Sequence, residues 1–149
     1  MSQRKSSEKF LRDITDNLPA MVSHVDAQGR YTFVNAPLCR KLDRGAAQLI
    51  GREARSFGDD DEAMEAAVQR VMAGEAVSFE RRGDARRGEE DRYFQTELIP
   101  DRNKAGQVRG YYAMTSDVTE RKRIEFSLAH SEAQVRIICL LYTSDAADE

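Results

Sequence analysis

The stretch Gly106–Glu125 changes from a strand pattern to a helix pattern within a few residues. Its first part, from Val108 to Thr115, is rich in Tyr, Val and Thr, which favour a pleated, half-buried strand. Ser116 and Asp117 follow, and either side chain can accept a hydrogen bond from the free amides that begin a helix. The sequence therefore predicts a last strand that leads directly into a helix.

An amphipathic helix is predicted at each end of the chain. After the last strand, apolar residues recur at spacings typical of a coiled-coil seam: Ile124, Leu128, Val135 and Ile138. Near the N-terminus a similar apolar stripe precedes Pro19, formed by Phe10, Leu11, Ile14 and Leu18. We expect the chain to form a homodimer through these two helices.

Four more strands and three helices are predicted between the terminal helices. Two strands form a hairpin around the turn Asp26–Gly29, and two more follow a run of helices. The predicted strands are Ala20–Val25, Arg30–Val34, Ala76–Glu80 and Tyr93–Ile99. The predicted helices are Pro37–Asp43, Ala46–Ile50 and Asp59–Met72, and the highly charged Arg81–Asp91 is a solvated loop. This order favours the α+β class, with a five-stranded antiparallel sheet and helices on one face.

Two motifs resemble those of PAS domains of bacterial sensor proteins. Asp117-Val118-Thr119-Glu120-Arg121-Lys122 is similar to the family's closing D-[IV]-T-E-R-K stretch. The opening hairpin D-x-x-G-R-[YI]-x-[FY]-[VA]-N is matched by Asp26, Gly29, Arg30, Tyr31, Phe33, Val34 and Asn35. The resemblance implies strand order 2-1-5-4-3 and a pocket between the sheet and the short helices. It also implies that Asp117 and Thr119 cap the strand-to-helix junction and that Asp117 pairs with Arg121.

The resemblance divides the chain into four parts. Residues 1–18 are the N-terminal helix, 19–118 the PAS-like domain and 119–138 the coiled-coil linker. Residues 7–14 and 131–138 share a pattern of Ser, Glu, Arg and apolar residues, which suggests a second PAS unit beyond the linker. The tail, Cys139–Glu149, resembles a translated sequencing adapter and is excluded from the fold prediction.

Composition and motifs exclude several classes of function. A formal net charge of −3 gives no electrostatic case for nucleic acid. No apolar run approaches the length of a membrane span, so we expect no membrane contact from this segment. Once the tail is set aside only Cys39 remains, which is typical of a reducing cytoplasm, although the parent protein could be membrane-anchored. No catalytic or metal-binding motif is present, so an enzyme with an unrecognised cleft is the weakest alternative.

No cofactor is identified from the sequence. Flavin-binding members of the family carry G-x-N-C-R-F-L-Q on a later helix, whereas Cys39 lies on the first short helix without that glycine or phenylalanine. Haem-binding members place a histidine on the long helix, and this chain has none there. Flavin and haem are therefore disfavoured, and Cys39 is interpreted as a small core residue. His24 is interpreted as a strand histidine, with a pocket or proton-sensing role as the alternative.

A pocket for an unidentified small ligand is predicted between the sheet and the long helix. The candidate lining residues are Met21, Phe33, Met64, Val68, Tyr112 and Met114. The alternative is that these apolar side chains fill the core, because residue type does not separate a pocket from a packed interior.

The predicted function is that of a sensory PAS domain in a bacterial signalling protein. A signal would shift the last strand and pass into the linker helix through Asp117, Val118, Thr119 and Arg121. The resemblance implies a histidine kinase or diguanylate cyclase as the output domain of the parent chain. The alternative is a passive dimerisation and spacing module without a ligand.

Overall fold

The computed structural model describes residues 9–10, 12–57, 62–83 and 88–147, without the side chains of 137, 138 and 141–147. Predictions about Leu11, the side chain of Ile138 and the acidic residues 59–61 lie outside this description. The chain divides into two compact units, Met1–Asp117 and Val118–Glu149.

The first unit is built on a five-stranded antiparallel sheet. Its strands are β1 (Ala20–Asp26), β2 (Tyr31–Val34), β3 (Val77–Arg82), β4 (Tyr93–Arg102) and β5 (Val108–Asp117). Their spatial order is β2-β1-β5-β4-β3, which confirms the predicted order. The last strand in sequence is therefore the central strand, with β1 on one side and β4 on the other.

The helices of the first unit lie between β2 and β3 in the chain. They are α1 (Ala36–Leu42), α2 (Ala46–Leu49), a 3-10 helix (Ala54–Ser56) and α3 (Glu62–Met72). In addition, residues 12–16 form a helical segment before β1. Gly74 follows α3 with a φ of +101°, a conformation that ends helices and that glycine adopts without strain. The core joins these helices to the inner face of the sheet through Val25, Tyr31, Val34, Leu49, Ala67, Val71, Val77, Leu98 and Tyr111.

Asn35 fixes the junction of the N-terminal segment, β1 and α1. Its amide nitrogen donates to Thr15 O at 2.8 Å and to Ala20 O at 2.9 Å. Its carbonyl oxygen accepts from Val22 N at 2.9 Å and, as the N-cap of α1, from Leu38 N at 3.2 Å. Four bonds use the full capacity of the side-chain amide, which explains how a polar residue is completely buried here.

Every strand except β2 extends beyond its predicted C-terminal end, and tertiary contacts add a helix. β3 continues to Arg82, and β4 continues through Pro100 to Arg102. Pro100 is tolerated because the β3 ladder begins at Val77 opposite Leu98, so this end of β4 has β5 alone as a ladder neighbour.

The unpredicted 3-10 helix follows a segment that covers the free edge of β2. In that segment Gly51 N donates to Tyr31 O, and Tyr31 N donates to Arg52 O. These backbone bonds protect the edge strand and bring the 3-10 helix over the inner face of the sheet.

The second unit is one helix, α4 (Thr119–Ala147). The predicted seam residues Ile124, Leu128 and Val135 are 62%, 58% and 59% exposed. Phe126, at 59% exposure, lies about 200° around the helix from Ile124, on the opposite side from this seam. The helix continues through residues 139–147, so its backbone has no boundary at the predicted end of the linker. In the described part of the chain, no helix combines the length and apolar character that a membrane span requires.

Candidate functional site

A cavity of about 520 Å³ lies between the inner face of the sheet and the helices of the first unit. Its walls come from β1, β5, α1, α3, the 3-10 helix and the β3–β4 hairpin. A volume of this order is typical of sites that hold a small molecule.

Three of the six predicted pocket residues line this cavity. Met21 lies on β1, and Met64 and Val68 lie on α3. Phe33, Tyr112 and Met114 are not among the lining residues.

The pairing register explains why the other three lie on the outer face. On β5 the residues that line the cavity are Tyr111, Ala113 and Thr115, so the intervening Tyr112 and Met114 point the opposite way. On β2 a bulge opposite His24 and Val25 breaks the simple alternation, so that Tyr31 faces inward and Phe33 pairs with His24 on the outer face. Our placement of Phe33, Tyr112 and Met114 on the inner face was therefore wrong.

Sequence analysis missed a set of hydroxyl groups on the cavity wall. Ser23, Tyr31 and Tyr111 all line the cavity and are almost completely buried. Burial, reinforced by the nearby Tyr31, raises the pKa of Tyr111 to about 12, and burial also raises the pKa of Tyr31. Both phenols therefore stay protonated at neutral pH. The sequence could have predicted the position of Ser23, because residues two apart on a strand share a face and Met21 was already placed on the cavity side.

Ion pairs surround the opening between the hairpin and the helices. The Lys41 ammonium contacts the Glu89 carboxylate and lies 4.6 Å from the centre of the Phe94 ring. Arg55 on the 3-10 helix pairs with Glu65 on α3. Because Lys41 and Glu89 are both largely buried, their contact joins α1 to the hairpin as well as balancing charge.

His24 lies on the outer face of the sheet, in a polar cluster. Its Nε2 donates to the Asp101 carboxylate at 2.8 Å, and its Nδ1 lies 2.5 Å from Thr32 Oγ1. The Tyr112 ring packs edge-on at 4.7 Å, and Arg109 donates to the same Asp101 oxygen at 3.0 Å. His24 is therefore a bonded strand histidine and not one of the cavity-lining residues.

The predicted signal-transfer residues follow one another across the end of β5 and the start of α4. Asp117 is the last residue of β5, and its carboxylate accepts from Arg92 at 3.3 Å. Val118 follows Asp117, and Thr119 begins α4. Arg121 lies 3.6 Å from Glu125, one helical turn further on. The pairing of Asp117 with Arg121 stays a prediction.

Neither Cys39 nor a metal site adds chemistry to the described cavity. Cys39 packs against the core, burial raises the pKa of its thiol, and it is not a lining residue. Within residues 9–10, 12–57, 62–83 and 88–147, no group of three or more His, Cys, Asp or Glu side chains could hold a metal ion.

Solved structures of PAS domains have the same architecture as the first unit. The PAS domain of Bordetella pertussis BvgS is 18% identical with a TM-score of 0.54, over 84% of this chain and 96% of that one. The PAS domain of an HTR-like protein from Haloarcula marismortui is 21% identical with a TM-score of 0.55, over 78% and 95%. The PAS domain of histidine kinase ThkA is 19% identical with a TM-score of 0.54, over 67% and 100%.

Comparison of sequences places the chain in a family. No curated protein matches the chain. A family model described as PAS fold matches residues 15–123, which covers the sheet, the helices around the cavity and the first residues of α4. The chain therefore belongs to the PAS family.

Proposed function

We propose that this PAS domain senses a small molecule and transmits its binding into α4. A ligand in the cavity would contact the inner face of β5 and shift that strand. Asp117, Val118, Thr119 and Arg121 would pass the shift into α4 as a change of tilt or register. The mechanism requires two helix arrangements of similar free energy.

The observation that carries this proposal is the position of β5. Tyr111, Ala113 and Thr115 line the cavity, and the strand ends two residues after Thr115. Thr115 also bonds to Thr96 Oγ1 at 3.0 Å, which couples β5 to the buried part of β4. A displacement of Thr115 caused by a ligand would therefore have two residues of strand to cross before the end of β5.

The parent protein in this proposal is a signalling protein with an output domain beyond α4. The similarity to the PAS domain of a histidine kinase supports a histidine kinase parent, and a diguanylate cyclase is the alternative. The exposed apolar residues Ile124, Leu128 and Val135 support dimerisation through α4. A cytoplasmic location stays a prediction from the sequence.

A passive dimerisation and spacing module is the second candidate function. The exposed apolar residues of α4 fit it equally well. The cavity favours the sensor, because a spacing module requires no internal space and we expect its core to be filled.

Native mass spectrometry of the full chain purified from cells separates the two candidates. The sensor predicts a small molecule that is present in the native mass and absent from the denatured mass. A chain that stays bare, and whose melting temperature is not raised by any member of a metabolite library, would contradict ligand sensing. A bare dimer in that case would favour the spacing module.

A further inference from the structure

Three hydroxyl groups on the cavity wall have no hydrogen-bond partner in the described part of the chain. Ser23, Tyr31 and Tyr111, here called the hydroxyl cluster, are 6%, 8% and 6% exposed and line the cavity. No fully enclosed side-chain nitrogen or oxygen of the described residues lacks a partner, so these hydroxyl oxygens border open space. The open space that the three residues share is the cavity.

The strand register places the hydroxyl cluster on one patch of the wall. Val25 on β1 is directly opposite Tyr31 on one side and Tyr111 on the other. Ser23 lies two residues from Val25 on the same face of β1. The electrostatic effect of Tyr31 on Tyr111 is consistent with this proximity.

A hydroxyl group on a cavity wall that has no partner in the protein keeps one donor and two acceptor sites for whatever fills the cavity. The wall near the hydroxyl cluster also includes the apolar side chains of Met21, Val25 and Ala113. A molecule that fits this region would have an apolar body and a polar atom directed at the cluster.

The charged side chains of the lining favour an uncharged occupant. Four are cationic and three are anionic, so their charges nearly balance. Lys41 is already paired with Glu89, and Arg55 with Glu65. A charged ligand would compete with these pairs, whereas an uncharged ligand would leave them intact.

We propose that the cavity takes an uncharged small molecule whose apolar body carries a carbonyl or hydroxyl oxygen that accepts hydrogen bonds from the hydroxyl cluster. This inference rests on the proposed sensory function and specifies the chemical class of its ligand.

The test is an NMR titration of the full chain, labelled with ¹³C at the methionine methyl groups. The probes share one ring: acetophenone, benzyl alcohol, toluene and benzoate. Met21 and Met64 line the cavity and report binding there, whereas Met114 lies on the outer face and reports binding elsewhere. We expect acetophenone and benzyl alcohol to bind at Met21 and Met64 about tenfold more tightly than toluene and benzoate.

Variants identify the groups responsible for the preference. Tyr111→Phe and Tyr31→Phe each remove one hydroxyl, and Ser23→Ala removes the third. We expect each to weaken acetophenone binding by about threefold to tenfold. Tyr112→Phe is the matched control, because that residue is the next one along β5 but points to the outer face. We expect it to leave the affinity unchanged.

The outcomes separate failure of this inference from failure of ligand sensing. Binding of toluene or benzoate at Met21 and Met64 as tight as that of acetophenone would overturn the inference but leave a ligand cavity. The same holds if all three hydroxyl variants retain the wild-type preference. If none of the four probes shifts Met21 or Met64 up to its solubility limit, the inference is overturned, and the proposed sensory function is then decided separately by the native mass measurement.

Discussion

Buried polar side chains of the first unit differ in whether they have hydrogen-bond partners within the protein. Asn35 makes four hydrogen bonds to the backbone and joins three segments of the chain. In the part of the chain that the structure describes, the side-chain hydroxyl groups of the hydroxyl cluster make none. The first arrangement stabilises the fold, whereas the second leaves hydrogen-bonding capacity at the cavity wall.

Asp101 provides a pH-dependent contribution to stability on the outer face. Burial raises the pKa of its carboxyl group, but the hydrogen bonds and positive charges of His24 and Arg109 outweigh burial and lower the pKa. Asp101 therefore binds a proton less readily in the folded chain than in the unfolded one. Its contribution is complete above the unfolded pKa and is lost as the pH falls through the folded pKa.

We predict that Asp101→Asn lowers the free energy of unfolding at pH 7 by about 1–2 kcal/mol, because it weakens two charge-assisted hydrogen bonds. The difference from the wild type should shrink as the pH falls below about 4. Urea unfolding at pH 7, 5, 4 and 3 measures the difference in free energy of unfolding between the variant and the wild type. Asp91→Asn is the control, because it makes the same change at an exposed position. A difference that is unchanged at pH 3 would show that the charge of Asp101 is not its source.

At the scale of elements, β5 shows what sequence could and could not predict. Strand composition and turn residues predicted five strands, and a family resemblance predicted their order. The inward face of β5 was not predictable, because Tyr, Ala, Met and Thr in Tyr111–Thr115 suit either face of a sheet. The pairing register of β5 with β1 decides which residues of β5 face the cavity, and the bulge in the pairing of β1 with β2 decides the same for β2.

The other unpredicted parts of the site depend on tertiary contacts. The 3-10 helix is positioned by backbone bonds from the segment before it to β2. Arg81, Arg82 and Glu89 come from the predicted solvated loop, yet they line the cavity. Long charged side chains can cover a cavity with their apolar stems while their charged ends meet water, so charge alone did not predict their position.

Gly110 sets the close approach of β5 to β1. Its φ is +155°, and a Cβ atom there would lie 2.3 Å from Val25 O. We predict that Gly110→Ala lowers the free energy of unfolding by about 3 kcal/mol, because backbone strain and the clash add together.

The control for Gly110 is Gly106→Ala. Gly106 has a φ of +83° with open space around its Cβ position, so it tests backbone strain without the clash. We expect Gly106→Ala to lower the free energy of unfolding by about 1 kcal/mol. Equal effects of the two variants in urea unfolding would contradict the close-approach explanation.

At the scale of the whole molecule, exposed apolar residues on α4 predict self-association. Ile124, Leu128 and Val135 lie along one side of the helix and are all more than half exposed. We predict that the chain dimerises and that Leu128→Glu weakens the dimer at least tenfold, because it places a carboxylate in the apolar seam.

Sedimentation equilibrium of the full chain measures the dimer dissociation constant. Ala133→Glu is the matched control, because residue 133 lies about 180° around the helix from Ile124. Equal weakening by both variants would mean that added negative charge, and not loss of the seam, is responsible. A wild-type chain that remains monomeric at all concentrations would contradict the predicted seam.

The central claim is that occupancy of the cavity moves β5 and that this movement enters α4. The most direct test follows backbone amide signals of the full chain by ¹⁵N NMR as acetophenone is added. We predict shifts at Ala113, Thr115 and the first turn of α4 that saturate together with Met21. In Asp117→Ala the α4 shifts should be lost while those of β5 remain, and Asp91→Ala should behave as the wild type. Saturation of Met21 and Thr115 without any change in wild-type α4 would contradict the claim.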